Sequence, residues 1–125
     1  MSNFEWRQYL RKEDEGSFDD CLVAEQIMKW MFYGKNAHRS GCEGINWIDR
    51  ETTLIYSGWQ PSSNMYQAFQ LLCQLKGICG NSRDPRWVEF TRTLGFMFPE
   101  DVLWGVTPRR IVQAALAVFG KPVLT

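Results

Sequence analysis

Apolar residues along this chain recur at two spacings, and the places where the spacing changes mark the predicted elements. A helical pattern opens at Ser17, an N-cap residue followed by Asp19 and Asp20 where the positive end of a helix dipole favours acids. Its apolar stripe is Val23, Ile27, Trp30 and Met31; the helix runs to about Phe32, and Gly34 suits the C′ position. The polar, glycine-punctuated stretch 35–43 reads as an exposed loop carrying His38 and Arg39. Ile45 to Asp49 and Thr52 to Ser57 are rich in β-branched and aromatic residues and read as two strands joined tightly through Asp49, Arg50 and Glu51.

Downstream, Pro61 cannot donate to a sheet ladder, and Ser62, Ser63 and Asn64 are good capping residues. Met65, Ala68, Phe69, Leu72 and Leu75 then recur at helical spacing, predicting a helix from about Asn64 to Lys76 that stops at Gly77. Residues 86–94 fit two templates. Asp84-Pro85 before them and Gly95 after them suit a helix, whereas the β-branched and aromatic crowding in Trp87-Val88-Glu89-Phe90-Thr91 favours a strand, the reading adopted here. Phe96 to Phe98 and Val102 to Trp104 read as short strands around Pro99. The final helix is the clearest: Thr107 caps it, Pro108 takes the first position, Ile111, Ala114, Ala115 and Val118 line one face, and Gly120 with Pro122 ends it. These elements predict an α+β fold, with an antiparallel sheet and about three main helices.

Length and charge narrow the picture. With 125 residues, 45% of them hydrophobic, one domain over 17–125 can bury a core, and the charged segment 1–16 reads as an N-terminal extension. Within that extension, Phe4, Trp6, Tyr9 and Leu10 are able to anchor a short helical turn. Fourteen basic residues balance fourteen acidic ones, which argues against general nucleic-acid binding. No apolar run approaches the roughly 18 residues of a membrane span, and residues 1–7 lack the basic-then-apolar layout of a signal peptide, so a cytosolic chain without membrane association is expected. Cys21, Cys42, Cys73 and Cys79 form no CxxC pair and are expected as free thiols, Cys21 and Cys73 on buried helix faces. His38 and Cys42 would be the start of a zinc set, but His38 is the sole histidine and no paired motif accompanies it, so no metal is expected. Six tryptophans read mainly as core and rim; Trp59 stands apart because it adjoins the cap segment and offers a stacking face.

The candidate chemistry is binding rather than catalysis. The sequence has no GxSxG, phosphate loop or HExxH, and the pairs Asp19/Asp20 and Glu100/Asp101 fall where helix starts and turns ordinarily place acids. Arg109 and Arg110 differ: they occupy a first helical turn, where cations are unfavourable. Either a bound anion, held by backbone N–H groups from Thr107 onward and by guanidinium forks, compensates them, or an ion pair with Glu100, Asp101 or an acid of another element does. Ser62, Ser63 and Asn64 beside Trp59 form a second such candidate, with plain helix capping as the alternative reading.

Three segments in order, Cys21-Leu-Val-Ala-Glu-Gln-Ile-Met-Lys-Trp30, the Trp59-Gln-Pro-Ser-Ser-Asn64 cap with its helix, and Thr107-Pro-Arg-Arg-Ile-Val-Gln-Ala-Ala-Leu116, resemble the phage ABA sandwich domain proteins over roughly 18–120. That resemblance implies an α-β-α sandwich-like fold in a small phage or prophage protein. In size, element order and arginine-bearing last helix the chain is more distantly similar to the Thoeris anti-defence sponge proteins. Those bind cyclic nucleotide or cyclic ADP-ribose signals without degrading them and assemble into oligomers. The resemblance therefore implies a non-enzymatic homo-oligomer without a cofactor in the bacterial host cytoplasm, sequestering a small nucleotide-derived signal. Arg109, Arg110 and the cap residues Ser62, Ser63 and Asn64 are the ligand residues the resemblance implies, Thr107 and Trp59 join them from the residue reading above, and none is carried onto 78–106. The alternatives are a phage accessory or anti-CRISPR-like inhibitor that binds a host protein, and a small hydrolase.

Overall fold

A computed structural model describes residues 6–10, 15–36, 42–81, 83–97 and 106–120. The first helix, α1 (Glu15–Leu22), continues as a π-helical turn over Val23–Ile27. Three strands follow, β1 (Met31–Lys35), β2 (Ile45–Ile48) and β3 (Ile55–Tyr56), and then three helices, α2 (Met65–Cys79), α3 (Pro85–Met97) and α4 (Pro108–Phe119). The strands form one antiparallel sheet in the order β1-β2-β3, packed with the helices into a sandwich-like α+β fold. His38, Arg39, Glu100, Asp101 and the strand expected over 102–104 lie outside the described residues.

The first helix ends earlier than its periodicity predicts. Met28 donates its N–H to Val23 O at 2.9 Å, Trp30 donates to Ala24 O at 3.0 Å, and between them Lys29 takes a left-handed φ of 64°. This is a helix-stop geometry that glycine usually supplies, with lysine in its place. Trp30 is thereby turned into the core, while Met31 and Gly34, expected in and just after the helix, belong to β1, and Met31 is exposed. Ser17 lies inside α1 rather than at its start.

Cross-strand pairing sorts the sheet's two faces. Phe32, Trp47 and Tyr56 pair in one row; Met31, Ile48 and Ile55 form the adjacent row, whose alternating side chains point the other way. Trp47 is fully buried, whereas Met31 and Ile55 are about half exposed. Trp6 is also fully buried, edge-on to Phe18 at 5.0 Å and tilted against Trp47 at 6.4 Å, so the 3-10 turn Trp6–Tyr9 anchors its segment to the core.

Residues 86–94 are helical, not a strand. Asp84 accepts the Arg86 N–H on its carboxylate at 2.8 Å and the Val88 N–H on its carbonyl at 3.0 Å, and Pro85 occupies the first helical position. Trp87, Phe90 and Leu94 then face inward at helical spacing. Capping and the 3.6-residue period thus outweigh β-propensity, which reports packing context more than backbone preference.

Helix α2 passes the predicted stop at Gly77 and ends where Gly80 adopts φ 85°. Its buried stripe is Ala68, Leu71, Leu75 and Cys79, leaving Met65 and Phe69, both assigned inward by the sequence pattern, exposed. Cys73 is exposed as well, so the expectation of a buried thiol there fails, while Cys21, Cys42 and Cys79 are buried and all four are free. The last helix matches its prediction closely, with Thr107 as N-cap and Ile111, Val112, Ala114 and Ala115 buried.

Candidate functional site

One of the predicted anion-binding residues, Ser62, is bonded to a buried carboxyl group. Asp20, 2% exposed on α1, accepts the Ser62 N–H at 2.9 Å and the Ser62 hydroxyl at 2.8 Å. A methyl group built on Gly16 would lie 3.4 Å from Ser62 Oγ and 3.6 Å from Arg109 Nη1, so the hydroxyl and the guanidinium both approach this glycine of α1. Burial pushes the Asp20 carboxyl up to about 7; the Ser62 hydroxyl and amide pull it down, Asp19 raises it further and Arg109 lowers it. The Ser62 donors are therefore already committed to Asp20, while the Arg109 charge favours its ionised form.

Other cap-segment residues hold local structure. Asn64 Oδ1 accepts the Gln67 N–H at 3.1 Å and Thr107 Oγ1 accepts the Arg110 N–H at 3.3 Å, each an ordinary N-cap. Ser63 is exposed and closes a turn through its N–H to Gln60 O at 3.1 Å. Gln67 clamps the approach: its Oε1 accepts the Gln60 N–H at 2.6 Å, and its Nε2 donates to Gly58 O at 3.0 Å. Between these two bonds Trp59 is held 3% exposed, its indole N–H without an acceptor among the described residues.

Trp59 opens onto a different place, a cavity of about 570 Å³ between the sheet and α2. Five rings line it: Trp30, Tyr56, Trp59, Tyr66 and Phe69. Trp30 stacks on Tyr56 with centroids 4.3 Å apart and planes 10° from parallel, and meets Trp59 edge-on at 4.8 Å. Tyr66 and Phe69, 73% and 60% exposed, leave their ring faces open to the cavity and solvent. Gln67, Gln70 and Gln74 of the same helix add amide groups to the lining. Gln67 is committed to its clamp, and Gln74 donates to Ile27 O at 3.4 Å, but Gln70 is exposed and makes no hydrogen bond among the described residues. No charged residue lines this lobe.

A second lobe of about 420 Å³ shares Met28, Trp30, Tyr56 and Gln74 with the first, so the two form one groove. It adds Lys29, Asp49, Arg50 and Glu51. Rings can sandwich a flat heterocycle, amide groups can pair with its edge, and the charged lobe can take a polar substituent. Arg109, Arg110, Thr107, Ser62, Ser63 and Asn64 line neither lobe; of the residues predicted from sequence, only Trp59 does. The missed signal was the second stripe on α2, Tyr66, Phe69, Gln70 and Cys73, which carries aromatics without joining the core. Among the described residues no three metal-ligating side chains cluster, and no helix is long and apolar enough to cross a membrane. Comparison with known protein families, characterised proteins and solved structures finds no match.

Proposed function

We propose that this chain is a phage-encoded, non-enzymatic anti-defence protein that binds and sequesters a small nucleotide-derived immune signal of the cyclic nucleotide or cyclic ADP-ribose type. The observation that supports this most strongly is the uncharged aromatic lobe, whose open Tyr66 and Phe69 faces and uncommitted Gln70 amide suit a planar base. An amide pairs its donor and acceptor with the two-point edge of adenine, while ring faces stack on it. The half-exposed Met31 and Ile55 of the sheet, with Tyr33 and Leu54 beside them, supply the apolar contact area for assembly of copies into a homo-oligomer.

Calorimetric titration with adenosine, cyclic mono- and dinucleotides and cyclic ADP-ribose tests this reading. Saturable binding of at least one of them, with the ligand recovered chemically intact, is the expected result. Absence of binding across the panel, or recovery of a hydrolysed product, would overturn it.

A further inference from the structure

Resting on the reading of the groove as a ligand site, we infer that Asp20 is a positioning residue for it: through Ser62 the carboxyl group holds the wall that carries Trp59 at its spacing from Trp30. Asp20 lines neither lobe, so its influence on a ligand passes through that wall.

The groove lies between two stretches of chain. One runs from α1 through the π-helical turn and the helix stop to Trp30. The other is the segment 57–64, which links β3 to α2 and supplies Ser57 and Trp59 to the lining, together with α2 itself. Residues 57–64 belong to no helix or strand, and Gly58 turns them with a left-handed φ of 67°. Side chains therefore fix this wall. Gln67 bonds the backbone on either side of Trp59, but it belongs to the helix that the segment enters, so it ties the wall only to α2. Asp20 is 42 residues away on α1, and it takes the Ser62 N–H at 2.9 Å and the Ser62 hydroxyl at 2.8 Å. Pro61, between the two anchored residues Gln60 and Ser62, is fully buried.

Asp20 with Ser62 is thus a polar tie between the two stretches. Gln74 Nε2 with Ile27 O forms another, but that is a single bond of 3.4 Å. The shorter, two-point tie is the stronger, and it falls three residues from Trp59. Trp30 and Trp59 meet edge-on at 4.8 Å across the same stretches, so their spacing depends on it.

Holding the wall does not require the charge. Ionised, the carboxylate accepts both Ser62 donors; protonated, it accepts the N–H on one oxygen and donates its own O–H to Ser62 Oγ. Asparagine reproduces the second arrangement, with Oδ1 accepting the N–H and Nδ2 donating to Oγ, whereas alanine removes both bonds. Asp20→Asn and Asp20→Ala therefore separate holding the wall from carrying a charge in the field of Asp19 and Arg109.

Exchange of indole N–H protons with solvent, followed by NMR on the ligand-free chain, and calorimetric affinity for 3′,5′-cyclic AMP test the inference. In Asp20→Ala the Trp59 proton is expected to exchange about 3- to 10-fold faster than in wild type, and cyclic AMP to bind about 3- to 10-fold more weakly. Trp47, fully buried and outside both lobes, should keep its exchange rate. Asp20→Asn should restore both quantities to within about twofold of wild type, since both bonds survive. Ser62→Ala spares the N–H bond and should shift both quantities in the same direction by less. It decides the matter if Asp20→Ala speeds every indole together through lost stability: Trp59 must exchange faster while Trp47 does not. Wild-type exchange and affinity in Asp20→Ala, or losses as large in Asp20→Asn, would overturn the role of Asp20. A wild-type chain that binds no cyclic AMP would overturn the ligand site instead, with the exchange rates still deciding whether Asp20 holds the wall.

Discussion

Raising the pH from 5.5 to 8.5 is expected to weaken the folded chain by about 2 kcal/mol through one side chain, Asp20. Its carboxyl titrates near 7 in the fold against 3.8 unfolded, because burial penalises the charged form more than Ser62 and Arg109 favour it. Between those values the folded state holds a proton that the unfolded state has released, so stability falls as pH rises. The contribution is complete below the unfolded value and is lost as pH climbs through 7. Urea unfolding at the two pH values should show the decrease in wild type, and Asp20→Asn, neutral throughout, should flatten it. Arg109→Gln should deepen the loss at pH 8.5, since it removes a positive charge that eases the buried carboxylate. A wild-type curve with no slope across this range would mean that the Asp20 carboxylate is ionised at little cost.

The second large effect separates binding from folding on one groove. Phe69→Ala should reduce affinity for a bound nucleobase by about 10- to 100-fold, because base–aromatic stacking is worth roughly 1–3 kcal/mol per base. Its stability should stay within about 0.5 kcal/mol of wild type, since Phe69 is 60% exposed and lies outside the buried stripe of α2. Trp30→Ala is the contrast: the ring is buried against Tyr56 and Trp59, and its removal should cost about 3–5 kcal/mol of stability. Urea melts of the three chains beside calorimetric titrations distinguish the two roles. An unchanged affinity in Phe69→Ala would place any ligand elsewhere.

How legible these features are from sequence depends on whether their cause is local. Thr107, Pro108 and Gly120 act within one turn of α4 and identify it unaided, and the same is true of Asn64 at the start of α2. The end of the first helix is not local in that sense. Its stop falls on Lys29, where the pattern offers no glycine, and the energy that holds a lysine left-handed comes from packing Trp30 into the core. On α2 the sequence contains two overlapping apolar stripes, and only tertiary packing chooses Ala68, Leu71 and Leu75 over Met65 and Phe69 as the inner one. That choice hides the aromatic lobe from sequence reading.

The charged pairs show the same boundary. Asp19 and Asp20 look alike as helix-start acids, yet one is part-exposed and the other is the buried acceptor of Ser62, 42 residues away. Arg109 was legible as a cation at a helix start, but its influence on the buried Asp20 depends on how α1 and α4 pack.

Indole N–H resonances offer a direct reading of where a ligand sits. Trp30 and Trp59 line the groove, whereas Trp6 and Trp47 pack against each other in the core and line neither lobe. On titrating ¹⁵N-labelled protein with 3′,5′-cyclic AMP, a base seated among the rings should shift the indole signals of Trp30 and Trp59 and leave those of Trp6 and Trp47 in place. Movement confined to Trp6 and Trp47, or no movement of any indole at saturating ligand, would contradict a nucleotide site in this groove.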